Sequence, residues 1–160
     1  MIRPATPDDV PTIARLIRDL AEYERLLHRV TLEEARLRDH LFGPRPYIEV
    51  LLAEEQGAVV GFALFFHSYS TFACKPRLYL EDLFVIPEHR GKGHGKALFS
   101  EMAKLAISRD CPFIEWSVLN WNEPAINFYK SLGAKPMDEW SVYRLAGDDI
   151  GKLAACRSGG

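Results

Sequence analysis

The stretch from Arg77 to Val85 constrains the fold more than any other. Leu78, Leu80, Asp82 and Phe84 share one alternating face, and Tyr79, Glu81, Leu83 and Val85 share the other. Most of both faces is apolar, which marks a strand buried on both sides. Two acids in the middle of such a strand, Glu81 and Asp82, are out of place unless they do something there. By alternation they face opposite ways, which makes Glu81 a candidate for chemistry and leaves Asp82 open to a structural role.

Directly after this strand comes Arg90-Gly91-Lys92-Gly93-His94-Gly95, then an apolar-periodic run (Leu98, Phe99, Met102, Leu105, Ala106) that reads as a helix from Gly95 to Arg109. Glycines allow positive φ and close approach of a ligand to the backbone. The unpaired N–H groups and positive dipole end of the following helix suit a phosphate, and Arg90 and Lys92 add charge beside them. The spacing is neither GxxxxGK[ST] nor GxGxxG, so neither a P-loop nor a dinucleotide fingerprint fits.

The rest of the chain supplies an α/β framework for this strand–turn–helix unit. Ile2–Ala5 reads as a first strand. Thr6-Pro7-Asp8-Asp9 opens a helix with an N-cap hydroxyl, a proline and first-turn acids, followed by Val10, Ile13, Ala14, Ile17, Leu20 and Ala21 at helical spacing. Thr31 with Glu34 reads as the capping box of a second helix that ends near Gly43-Pro44. Strands are expected over 47–54 and 59–67 with a turn at Gln56-Gly57, over 113–118, and over 140–145. A short helix is expected over 122–132, stopped by Gly133, and a helical turn over 150–155. With no linker and no internal repeat, residues 1–160 read as one domain with a frayed tail over 156–160.

Charge and cysteine content narrow the function classes. Twenty Lys and Arg against 22 Asp and Glu give a net charge of −2 over 160 residues, without the basic excess that nucleic-acid binding by phosphate contact requires. No apolar run approaches the ~20 residues of a membrane span, and Met1-Ile2-Arg3-Pro4 does not begin a signal peptide. Three scattered cysteines fit reduced thiols, and the five histidines form no zinc-type spacing. The sequence therefore reads as a cytoplasmic, soluble protein with no metal, membrane or nucleic-acid partner.

The glycine turn resembles the pyrophosphate-binding R/Q-x-x-G-x-G/A motif of the GNAT N-acetyltransferase superfamily. The opening Ile2-Arg3-Pro4-Ala5-Thr6, the strand Leu78–Val85 and the run Trp121-Asn122-Glu123-Pro124-Ala125-Ile126-Asn127-Phe128-Tyr129-Lys130 resemble its diamine acetyltransferases (the spermidine/spermine enzymes and their thialysine-acetylating relatives), with similarity running from Ile2 to Ala154. The resemblance implies an α/β (α+β) GNAT fold with a mixed sheet of six to seven strands flanked by about four helices. It implies acetyl-CoA as cosubstrate, held by the backbone of Leu83, Phe84 and Val85, by Arg90, Gly91, Lys92, Gly93, His94, Gly95 and Lys96, and by Asn122, Glu123, Pro124 and Ala125. It also implies a homodimer.

The same resemblance assigns roles that chemistry supports. An aliphatic amine with a pKa of about 10.4 is protonated at neutral pH, so attack on a thioester needs a proton acceptor, for which Glu81 is placed. Tyr129 would protonate the departing sulfur, and the Leu83 N–H would stabilise the oxyanion. Tyr23, Glu24, Glu81, Glu115, Trp116 and Ser117 would hold a cationic amine through ion pairs and aromatic walls. Leu119-Asn120 stands where related sequences often carry an acid, which lowers the charge offered to a polycation. The expected activity is acetyl transfer to a polyamine or diamine, with a lysine-like amino acid or a protein amine as alternative acceptors and a non-catalytic CoA sensor as the rival class.

Overall fold

The computed structural model describes residues 1–156, which form two compact units, Met1–Ser117 and a second beginning at Val118. In the first unit, β1 (Ile2–Pro4), β2 (Glu49–Glu55), β3 (Ala58–Ser70), β4 (Lys75–Val85) and β5 (Ile114–Trp116) form one sheet in sequence order. Neighbours are antiparallel from β1 to β4, and β5 joins β4 in parallel. The crossover between those two carries α3 (His94–Ser108), as a parallel connection requires. α1 (Val10–Tyr23) and α2 (Glu34–Phe42) link β1 to β2.

α1 starts where Thr6-Pro7-Asp8-Asp9 placed it. Asp9 Oδ2 accepts bonds from the Thr6 N–H (2.7 Å) and hydroxyl (2.9 Å) after a single 3₁₀ turn over Pro7–Asp9. Arg3 then grips both Asp9 oxygens, at 2.7 and 2.9 Å, and Glu54 at 2.7 Å, tying the helix start to β1 and β2. The Asp9 carboxyl is held well below the usual carboxylate range, by the Arg3 bond first of all. α1 buries Val10, Ile13, Ala14, Leu16 and Leu20. These pack with Leu37 and Leu41 of α2 and with Val50, Leu52, Phe62, Leu64 and Phe84 of the sheet. Each such side chain contributes roughly 1.5–3 kcal/mol on full burial. α3 covers the other face through Leu98, Phe99, Met102 and Ala106.

The Gln56-Gly57 turn is as tight as the sequence suggests. Both residues have positive φ (51° and 81°), and Glu55 pairs directly with Ala58, the signature of a two-residue type I′ hairpin. Gly61 has a different reason to be glycine. It lies opposite Val85, and a Cβ there would stand 2.7 Å from the Phe84 carbonyl oxygen. β3 and β4 touch backbone to backbone at that point.

Several expectations are corrected. α2 begins at Glu34 with Glu33 as N-cap and no side-chain capping bond, so Thr31 does not cap it. The described residues contain five strands and five α-helices, the sheet being smaller and the helices more numerous than expected. Residues 140–145 form no strand, although their sequence alternates. Alternation makes a strand only where a second strand supplies a ladder for the N–H and C=O groups, and no other described residue of the second unit is in one. That unit holds α4 (Glu123–Ser131) and α5 (Asp148–Ala155). Of the tail expected to fray, 157–160 lie outside the described residues.

Candidate active site

The decisive local feature is a β-bulge in β4. Leu64 pairs with Asp82 but Phe65 pairs with Leu80, so Glu81 is an extra residue with no partner in β3. The slip undoes the alternation read from the sequence. Phe84 and Asp82 stand opposite Phe62 and Leu64, on the face covered by α1 and α2, whereas Leu80 stands opposite Phe65, on the other face. The four residues Leu78, Leu80, Asp82 and Phe84 therefore do not share a face.

The bulge gathers acids. Glu81 is exposed and Asp82 half-buried. The Asp82 carboxyl is pushed up to about 7, chiefly by burial and further by the charges of Glu81 and Glu24. Glu24, the C-cap of α1, is itself raised by burial. Three carboxylates from two elements thus share one field at the midpoint of β4. Asp82 is therefore within the field of Glu81, which alternation alone would have placed on the opposite face.

β4 is flanked asymmetrically at the same point. Only Leu78, Tyr79 and Leu80 pair with β5. From Glu81 to Val85 the described ladder is with β3 alone. The backbone of Leu83, Phe84 and Val85 therefore runs beside an open edge, and that edge leads into the glycine turn. Gly91 and Gly93 adopt positive φ of 75° and 86°, and a Cβ at either would meet nothing within 4 Å. Conformation, not space, demands glycine there. Gly93 is the N-cap of α3, so the N–H groups of His94, Gly95 and Lys96 form the helix's first turn and lack intrahelical acceptors. An edge with no described strand partner beyond Leu80, leading to a cluster of helix-start N–H donors, has the chemistry to receive an extended amide-bearing arm ending in a phosphate.

The side chains of Arg90 and Lys92 have partners within the chain. Arg90 folds back: Nε donates to the Val85 carbonyl at 2.8 Å, and the guanidinium lies 4.6 Å from the Tyr23 ring centroid and 5.5 Å from that of Phe84. Tyr23 thus meets Arg90 at the end of α1. Lys92 Nζ donates to both oxygens of Glu55, at 2.9 and 3.1 Å.

Of the β5 residues proposed for the acceptor, Glu115 is ion-paired with Arg77 at 3.1 Å, Trp116 packs edge-on against Phe99 at 4.9 Å, and the Ser117 hydroxyl lies 3.0 Å from that of Tyr79. Glu115 and Trp116 lie opposite Tyr79 and Leu80, directly before Glu81 in β4. Asp82, which the sequence reading left open to a structural role, is coupled electrostatically to Glu81 and Glu24. The adjacent acid pair in a buried strand was the only trace of this in the sequence.

In the second unit, buried Asn122 caps α4: its Oδ1 accepts from the Ala125 N–H at 3.3 Å, with Pro124 in the first turn and Glu123 beside it. Tyr129 lies in α4, half-buried, its ring 5.7 Å from that of Phe128. No group of His, Cys, Asp and Glu able to hold a metal ion occurs among the described residues, and none of their helices is long and apolar enough to cross a membrane.

Residues 13–134 match the model of the acetyltransferase (GNAT) family. The chain belongs to the GNAT acetyltransferase family. This GNAT chain is 39% identical to the thialysine N-epsilon-acetyltransferase of Bos taurus over 165 residues, spanning 96% of each protein. It is 34% identical to an L-ornithine N5-acetyltransferase of Arabidopsis thaliana over 194 residues, spanning 93% of this chain and 85% of that protein. Among solved structures, an integron cassette protein from the mobile metagenome of V. cholerae superposes with a TM-score of 0.80 at 28% identity, over 98% of each chain. GNAT acetyltransferases take their acetyl group from acetyl-CoA.

Proposed function

We propose that this enzyme acetylates the primary amine of a small cationic acceptor of the lysine-like, ornithine-like or diamine kind, by direct attack on acetyl-CoA in a ternary complex. The observation that carries the reading is the bulge, which makes Glu81 an extra residue beside Asp82 in β4, within the field of Glu24 from α1. Three clustered carboxylates favour a cation and disfavour a neutral or acidic acceptor. Similarity to enzymes named for thialysine and ornithine supports an amino-acid acceptor ahead of a longer polyamine.

In this reading Glu24 and Asp82 hold the ammonium and Glu81, directly or through water, removes its proton. The free amine attacks the thioester carbon, and the Leu83 N–H donates to the oxygen on which charge develops. As the C–S bond breaks, the nitrogen sheds its second proton to water to become the amide, and Tyr129, in the role the family resemblance gives it, protonates the departing sulfur and is itself reprotonated from water. Arg90 acts by holding Val85 and Tyr23 in place. The whole chain acts as one acetyltransferase domain in a cytoplasmic homodimer, a state that light scattering on the purified protein measures.

The test is thiol release from acetyl-CoA against a panel of thialysine, lysine, ornithine, putrescine, spermidine and a lysine peptide. Turnover on the amino acids and diamines is expected. Turnover on the peptide alone, or on nothing, would refute the reading.

A further inference from the structure

Glu55 closes β2 at the type I′ hairpin, and its carboxylate gathers three side chains from around the glycine turn. His89 Nδ1 lies 2.5 Å from Oε2, and Lys92 Nζ donates to Oε1 and Oε2 at 2.9 and 3.1 Å. His94 Nε2 stands 3.5 Å from Oε2, an ion-pair distance without hydrogen-bond geometry, which leaves that nitrogen buried and unbonded. His89 ends the 3₁₀ turn before the glycines, Lys92 lies between them and His94 begins the helix after them. One carboxylate therefore reaches every part of the turn.

The glycines make such a tether necessary. Gly91 and Gly93 flank Lys92 with positive φ and open space around each, so the same freedom that permits this conformation permits others. A turn hinged on both sides of Lys92 does not by itself keep its N–H groups aimed at one place. Binding to a minority conformation weakens the apparent affinity by the fraction populated. A charged anchor on a rigid two-residue hairpin removes that loss.

We propose that Glu55 is a positioning residue for acetyl-CoA: it pins His89 and Lys92 so that the glycine turn presents its backbone N–H groups to the pyrophosphate, and Lys92 is a strut of the turn, not a phosphate ligand. The inference rests on the reading that this turn receives acetyl-CoA. Two features support it. The Glu55 carboxyl is lowered to about 2, by the bond with His89 first and that with Lys92 second, and so stays anionic across the neutral range. Arg90, the other cation of the turn, is also committed, to the Val85 carbonyl. Within the turn itself, phosphate recognition then falls to backbone N–H groups, whose aim depends on the tether, with Lys96 following on the helix.

The competing account gives the opposite sign. If Lys92 were a phosphate ligand that Glu55 merely neutralises, removing the charge of Glu55 would release it and tighten binding. Acetyl-CoA KM and the calorimetric Kd of CoA are measured for E55Q, K92M and the double variant, with acceptor KM, kcat and melting temperature alongside. E55Q is expected to raise acetyl-CoA KM and CoA Kd about 3- to 10-fold, with acceptor KM and kcat within about twofold. K92M is expected to match it, and the double variant to be no worse than either, because both remove one contact. Tighter CoA binding by E55Q, or effects of E55Q and K92M that multiply, would overturn the proposal. Should E55Q melt early, H89N leaves Glu55 in place and must still weaken CoA; unchanged CoA affinity there also overturns it. Failure of the unsubstituted protein to bind CoA at all is a separate result, and it removes the acetyl-CoA reading beneath the proposal.

Discussion

Replacing Gly61 by alanine tests whether the β3–β4 approach sets the end of β4. The added Cβ would stand 2.7 Å from the Phe84 carbonyl oxygen, 3.1 Å from Val85 Cγ2 and 3.3 Å from Val85 Cα. Carbon–oxygen contacts between strands ordinarily settle near 3.3–3.6 Å, so the two backbones must part by about 0.6 Å. The adjacent bond from the Ile86 N–H to the Val60 carbonyl, now 2.9 Å, would be stretched to about 3.5 Å, beyond useful hydrogen-bond range. Overpacking of this kind costs about 1–3 kcal/mol, offset by about 0.4–1 kcal/mol because alanine has less freedom than glycine in the unfolded chain. The net is roughly 0–2.6 kcal/mol, or a melting-temperature drop of up to about 10 °C for a chain of this size.

The displacement also falls on Phe84 and Val85, so acetyl-CoA should bind several-fold more weakly. Differential scanning fluorimetry and CoA titration calorimetry read the two effects. Gly57 is the control: it needs positive φ but has open space, so Asn, which tolerates the left-handed region, should be accepted at 57 and rejected at 61. An alanine at 61 that melts as the parent does and binds CoA equally well would refute the reasoning.

Asp9→Asn removes the charge that Arg3 grips, with side chains only 12% and 29% exposed, and should destabilise by roughly 2–3 kcal/mol, somewhat below the value for a fully buried pair. Because the folded Asp9 carboxyl is depressed, its contribution is complete above the unfolded pKa of about 3.9 and fades as pH falls below it; the Asn variant should lack that part of the acid loss in urea titrations from pH 6 to pH 3. Asp82 has the reverse sign: with its folded pKa raised to about 7, the folded chain binds the proton more tightly and stability falls as pH rises from about 4 to 7. Asp82→Asn should therefore gain on the parent in melting temperature at pH 8 relative to pH 4.5, and a difference that does not change with pH would count against the raised pKa. Tyr129→Phe should lower kcat about 100-fold with acetyl-CoA KM within about twofold, as measured by thiol release.

What the sequence made legible was local. Thr6-Pro7-Asp8-Asp9 names its own helix start, Gln56-Gly57 its own hairpin and Gly91 to Gly95 its own turn, because each depends on backbone conformations or caps set by neighbouring residues. The bulge at Glu81 is of another kind: it records a mismatch in count between β3 and β4, and β4 read alone looks regular. The same holds for Lys92 with Glu55 and for Glu115 with Arg77, pairs 37 and 38 positions apart. Their charges were visible and their partners were not. The alternating run over 140–145 misled for the matching reason, since a strand is a property of two segments.

The bulge has a further consequence for how such a site can change. Phe84 packs in the core with α1 and α2, and Asp82 stands on the same face, with one additional residue preceding them both. Deleting Glu81 would leave Leu80 opposite Phe65 and Asp82 opposite Leu64, so the ladder would become regular with Phe84 still opposite Phe62 in the core, and only the extra residue and its kink would be lost. Altering the identity of Glu81, which is exposed, leaves Phe84 where it is. The interior therefore tolerates loss of the extra residue as well as its substitution, and the Glu81 carboxylate and the kink it makes in β4 can both change without moving Phe84.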